Sequence, residues 1–191
     1  MKKVFIIHGF MGEPNGGWKP WLMGELYKND TYACSLPMPD PNNPNKEEWI
    51  QTIRDVVNFE EDEIFLVGHS LGVAAILRYL ETLPEGQSIS GAVLVSGPAF
   101  VINPTNPNSK LRKIDNFLDS PYDFDHIKKV CKNFVVIHGD NDSKVVFEHA
   151  IKISEGLDCE LITVQNGGHL NDRDGVWELP QALEALTKIM N

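Results

Sequence analysis

The pentapeptide Gly68-His69-Ser70-Leu71-Gly72 sits between an apolar run, Ile64-Phe65-Leu66-Val67, and a segment with apolar residues at helical spacing. In that strand-to-helix context, Gly-x-Ser-x-Gly reads as a nucleophile elbow. A sharp turn holds the serine backbone in a strained conformation, and a side chain at either flanking glycine would strike the neighbouring strand or helix. Ser70 would then project above a sheet. The Leu71 amide would open a helix, where free N–H groups and the helix dipole favour a developing oxyanion.

A serine hydroxyl needs a base to take its proton, so a histidine must lie on a loop at the same sheet edge. Six histidines compete for that role. His8 and His138 each end an apolar run before glycine, and His69 is the variable residue of the elbow; structural or local roles suit all three. His126 and His149 fall in helical segments, where solvated or capping roles are the default. His169 follows the last apolar run in Gly167-Gly168-His169, a loop able to carry an imidazole over the nucleophile.

The remaining partner is an acid lying between Ser70 and His169 in chain order. Asp140 and Asp142 both occupy the loop His138-Gly139-Asp140-Asn141-Asp142, and an Asp-rich loop after a strand is often turn and capping chemistry. Spacing leaves both aspartates open, with a marginal preference for Asp142. A second oxyanion donor is expected from the loop His8-Gly9-Phe10-Met11-Gly12, with the Phe10 amide as the candidate. Trp18 and His69 are candidates for lining a substrate pocket, although aromatic residues at helical positions, Trp18, Trp21 and Trp49 among them, more often pack a core.

These residues require a sheet to carry them. Six strands are expected near Lys3 to His8, Thr31 to Leu36, Glu63 to Gly68, Gly91 to Ser96, Phe134 to His138 and Glu160 to Val164. Several are nearly continuous in apolar character, as strands buried on both faces of a parallel sheet must be. Helices are expected near Trp18 to Tyr27, Lys46 to Asn58, from Ser70 to Leu83, Lys144 to Glu155 and Pro180 to Met190. Two segments rich in proline and asparagine, Pro37 to Asn45 and Asn103 to Asp125, read as loops, the second with a short helix around Leu111 to Leu118 and forming one wall of the site. The pattern predicts one α/β domain over 1–191.

Composition narrows the function classes. With 17 Lys plus Arg against 27 Asp plus Glu, the net charge of −10 leaves no basic stripe for a nucleic acid. His8-Gly9 cuts short the one run that imitates a secretory leader, and no apolar stretch approaches the ~20 residues of a membrane span. Three cysteines without Cys-x-x-Cys spacing argue against a disulfide framework or zinc ribbon and suit a reducing cytoplasm. Gly12 to Lys19 resembles a P-loop, but Trp18 separates Gly17 from Lys19 and Pro20 stands where Ser or Thr is required, so nucleotide binding is rejected. No His-Glu-x-x-His cluster supports a metal, and no cofactor is expected.

Taken together, His8-Gly9, Gly17-Trp18-Lys19-Pro20-Trp21, the elbow, His138-Gly139-x-x-Asp142-x-x-Val145, Gly168-His169 and the Trp177 to Leu183 segment resemble one family nearly end to end. It is the family of small serine hydrolases related to retinoblastoma-binding protein 9 and to bacterial YdeN-type proteins. The resemblance implies Asp142 as the triad acid beside Ser70 and His169. It also implies a trimmed three-layer α/β-hydrolase fold, with strand order 2-1-3-4-5-6 and no large cap domain. The implied activity is hydrolysis of a small ester, thioester or amide through an acyl-enzyme, carboxylesterase-like; the alternative is a non-catalytic interaction role on a retained hydrolase fold. Leu157-Asp158-Cys159-Glu160-Leu161 has Leu where a Leu-x-Cys-x-Glu motif needs Glu, so binding to a retinoblastoma-type pocket protein is not implied.

Overall fold

Alternate residues of each apolar run face opposite ways, and that alternation builds two cores on one sheet. The computed structural model describes residues 1–59, 63–102, 105–106 and 109–191. Its strands are β1 (Lys2–Ile7), β2 (Tyr32–Leu36), β3 (Glu63–His69), β4 (Gly91–Val95), β5 (Phe134–Gly139) and β6 (Glu160–Val164), all parallel and in the order β2-β1-β3-β4-β5-β6. The helices are α1 (Lys19–Lys28), α2 (Lys46–Val56), α3 (Leu71–Glu81), α4 (Phe124–Val130), α5 (Glu148–Leu157) and α6 (Pro180–Met190).

Phe5, Ile7, Leu66, Leu94 and Val136 pack one face of the sheet against α2, α3, α4 and α5. Val4, Ile6, Val67, Val93 and Ile137 pack the other against α1 and α6. The result is the three-layer α/β-hydrolase arrangement, with a strand order that requires a crossover between β1 and β3. Burying β1, β3, β4 and β5 on both faces explains why their apolar runs are continuous rather than alternating with polar residues.

Local signals account for the helix ends. The Asn45 side chain accepts the Glu48 amide at 3.1 Å and starts α2, and Pro180 occupies the first turn of α6. Two boundaries differ from expectation. Helix α5 begins at Glu148 rather than Lys144, because the Lys144 and Val145 amides turn toward the Asp142 carboxylate instead of entering a helix. The loop expected over 103–125 carries its expected short helix as a 3-10 segment at Lys110–Phe117 but gives way at Phe124 to α4, whose first turn is capped by Asp123 accepting the His126 amide at 2.9 Å. Asn103, Pro104 and Pro107 of that loop lie outside the described residues.

The register aligns Ile7 with Gly68, His69 with Val95, Val95 with Ile137 and His138 with Thr163. The carboxyl ends of β1, β3, β4, β5 and β6 therefore share one edge, and the loops that follow them converge there. No helix among the described residues is long and apolar enough to cross a membrane.

Candidate active site

Ser70 joins β3 to α3 with φ 55° and ψ −120°, a conformation that non-glycine residues adopt at a cost of roughly 1–3 kcal/mol. The surroundings hold it there. The Ser70 amide bonds the Val95 carbonyl at 2.8 Å across to β4. A Cβ on Gly68 would come within 2.7 Å of the Val73 nitrogen, and one on Gly72 would overlap the Ile7 carbonyl. Both flanking glycines are thus dictated by close backbone approach, one to the following helix and one to the neighbouring strand.

His169 Nε2 lies 2.9 Å from Ser70 Oγ, and His169 Nδ1 lies 2.7 Å from Asp142 Oδ2. Because a carboxylate can only accept, Nδ1 carries the hydrogen and Nε2 is free to accept from the serine hydroxyl. Asp142 is 5% exposed, and its Oδ1 accepts the Lys144 and Val145 amides at 2.8 and 3.0 Å. Burial works against its charge, but His138, His169 and the Val145 amide outweigh that and hold the carboxyl well below the usual range. The acid is therefore ionised at neutral pH and aimed at the imidazole.

The loop bearing His169 is stitched to its surroundings. Asp140 Oδ1 accepts the Asn166 amide at 2.8 Å, and Asn141 Oδ1 accepts the Gly168 amide at 2.7 Å. With Asp142 on His169, three consecutive residues after β5 bind the loop after β6. Asp140 is thus engaged with backbone and Asp142 with the imidazole. Asp174 Oδ2 accepts the His169 amide at 2.8 Å, a tether that no sequence motif announced.

Trp18 and His69, the expected pocket residues, occupy different positions. Trp18 is 1% exposed, lies in the core beneath α1 and donates Nε1–H to the Leu170 carbonyl at 2.9 Å. His69 donates Nε2–H to the His169 carbonyl at 2.9 Å, and burial pushes it down to about 3, so it is neutral. Both rings hold the backbone at positions 169 and 170. Burial also makes His8 a structural group: its Nδ1–H donates to the Gly9 carbonyl and its Nε2 accepts the Met38 amide. His138, fully buried, donates Nε2–H to the Val145 carbonyl at 2.8 Å and sits 3.4 Å from Asp142 Oδ2. His126 reaches the Leu83 carbonyl from the far end of the molecule, on α4.

On the β1 side, the Gly12 amide closes a turn onto the Gly9 carbonyl at 3.0 Å. A Cβ on Gly9 would stand 2.8 Å from Ser70 Cβ, so this turn is pressed against the nucleophile. Among the described residues, neither the Phe10 nor the Leu71 amide has a hydrogen-bond acceptor. Two amides without protein partners therefore flank the serine, the requirement for stabilising an oxyanion.

The sequence pattern of the serine hydrolase family is matched by residues 4–188. The YdeN hydrolase of Bacillus subtilis (strain 168) is 34% identical over 186 residues, 97% of this chain and 95% of that protein. Its crystal structure superposes with a TM-score of 0.90 and covers 100% of this chain and 99% of that one. The serine hydrolase RBBP9 of Rattus norvegicus is 22% identical over 83% of this chain and 80% of its own length. Est1E from Butyrivibrio proteoclasticus, solved with ferulic acid bound, shares the fold with a TM-score of 0.73 at 17% identity, over 100% of this chain and 88% of that one.

Proposed function

The chain belongs to the serine hydrolase family, and from that premise we propose that it cleaves a small ester or thioester, or an amide, through an acyl-enzyme on Ser70, as a carboxylesterase-type enzyme. The observation that carries this reading is the unbroken line of hydrogen bonds from Ser70 Oγ through His169 to Asp142, at 2.9 and 2.7 Å.

In the first half-reaction Ser70 Oγ attacks the substrate carbonyl while His169 Nε2 takes the hydroxyl proton. The Phe10 and Leu71 amides donate to the oxyanion, and Asp142 stabilises the imidazolium without itself being protonated. Collapse of the tetrahedral intermediate breaks the bond to the leaving alcohol, thiol or amine, which receives the proton from His169. Water then attacks the acyl-enzyme by the same route, releasing the acid and restoring Ser70. The strain at Ser70 favours this reading, because a backbone held at φ 55° carries Oγ at the sheet edge within reach of His169 Nε2.

Hydrolysis of p-nitrophenyl acetate tests the proposal. The wild-type protein is expected to turn the ester over, and Ser70→Ala to lose at least about a thousandfold in kcat. Equal rates for the two proteins would place the chemistry elsewhere.

A further inference from the structure

Three apolar side chains stand exposed on the loops flanking Ser70: Met11 after β1, Phe100 after β4 and Val146 after β5, at 47%, 45% and 47%. The order β1-β3-β4-β5 sets the elbow between the first of these loops and the other two. With neighbouring strands about 4.8 Å apart, the row spans about 14 Å at the sheet edge. Single exposed apolar residues are ordinary on any surface, but three on one edge around a candidate nucleophile form a surface that has to be accounted for.

Two of the three are fixed in place from below. The Phe100 ring lies on the His149 ring with centroids 3.8 Å apart and planes inclined by 24°. The Ala99 amide, immediately before it, donates to His149 Nδ1 at 3.0 Å. The Val146 carbonyl accepts the His149 amide at 3.0 Å. His149 thus ties down both loops, its buried ring beneath Phe100 and its backbone amide on the Val146 carbonyl, leaving the outer faces of Phe100 and Val146 to solvent. His149 can accept from Ala99 only while Nδ1 is unprotonated, and burial pushes its pKa down to about 4, so the support persists at neutral pH. On the opposite side Met11 is held at φ 55° with its amide on the Pro41 carbonyl at 2.8 Å. A preformed apolar surface of this kind gains binding free energy without first ordering its own side chains.

We propose that Phe100, Val146 and Met11 form the acyl-binding surface, and that the substrate is an ester or thioester whose acyl part is an apolar chain or ring long enough to reach them from Ser70. This rests on the acyl-enzyme reading above. None of the three can donate to or pair with a charged acyl group, and their exposed area returns free energy only to apolar groups laid against it. The acyl group remains attached to Ser70 after the leaving group departs, so contacts at this rim act in both half-reactions.

The experiment compares p-nitrophenyl esters from acetate to octanoate in the wild type, Phe100→Ser, the Phe100→Ser/Val146→Ser double variant and Phe100→Leu, with labelling of Ser70 by diisopropyl fluorophosphate measured in each. In the wild type, kcat/KM should rise about twofold per methylene, as expected when a chain is covered on one side. The ratio of octanoate to acetate should fall about tenfold in the double variant and be largely kept by Phe100→Leu, which restores apolar area without the ring. A flat series in a wild-type protein whose Ser70 is labelled, or an unchanged ratio in the double variant, overturns the acyl rim and leaves the acyl-enzyme reading intact. A folded wild-type protein that neither labels nor turns over any ester overturns both.

Discussion

On the β5 and β6 side of Ser70, Asp140, Asn141 and Asp142 bind Asn166, Gly168 and His169 in turn, and Asp174 and His69 hold the backbone of His169 itself. On the β1 side, the turn from Gly9 to Gly12 is held against Ser70 by backbone hydrogen bonds and by the close approach that the glycines permit. The difference follows from the task proposed for each side. A base must keep a side chain aligned with both a proton donor and an acid, so its loop is fixed by many side-chain contacts. An oxyanion donor is a backbone amide, which a tight turn positions with one side chain, the buried His8 imidazole bonded to the Gly9 carbonyl.

Breaking the stitched side at its acid should have the largest effect. In Asp142→Asn the amide oxygen can still accept from Lys144 and Val145, but its nitrogen then faces His169 Nδ1. That arrangement favours the tautomer with hydrogen on Nε2, which cannot accept from Ser70. We expect kcat for p-nitrophenyl acetate to fall by about 10⁴, the scale of such a tautomer inversion. A loss under tenfold would show that the acid is not what orients the base.

The next effect is on stability. His149 sits on the stitched side, and burial lowers its pKa from 6.5 to about 4. Unfolding therefore takes up a proton between those values, and the stability present above pH 6.5 is lost as pH falls toward 4. His149 should account for up to ~3 kcal/mol of that loss. Urea denaturation at pH 7 and pH 4 measures it, and His149→Gln should flatten the slope. An equal slope in the variant would assign the pH dependence to other groups.

The smallest predicted effect tests the stitching itself. Asn141→Ala removes the acceptor for the Gly168 amide but touches neither Ser70 nor the imidazole. Losing one such hydrogen bond should lower kcat about three- to tenfold with KM little changed, as expected when ~1 kcal/mol of loop positioning is lost. A change confined to KM would mean that the loop serves binding and not the base.

Much of this arrangement was legible from the residues. The elbow could be read because its two glycines and serine fall within five residues between an apolar run and a helical pattern, and the central strands because they are buried on both faces. The choice between Asp140 and Asp142 could not be read from spacing, because both occupy the same loop. What separates them is direction, with one carboxylate turned to the Asn166 amide and the other to His169. Trp18 shows the same limit: its place in the sequence fits a pocket or a core, and its packing in the core, 1% exposed, is seen only in the fold. The late start of α5 was hidden because the amides of Lys144 and Val145 are recruited by a carboxylate whose role depends on a partner 27 residues on. Features written as a compact local pattern survived in the sequence even where, as at Gly72, their cause is a distant strand, and pairings between loops required the fold.

The central claim is that Ser70 is an activated nucleophile, and mass spectrometry after incubation with a fluorophosphonate tests it most directly. The account predicts one phosphonyl adduct, localised to the peptide bearing Ser70, with none in Ser70→Ala. A folded wild-type protein without that adduct, or one modified equally in Ser70→Ala, would contradict it.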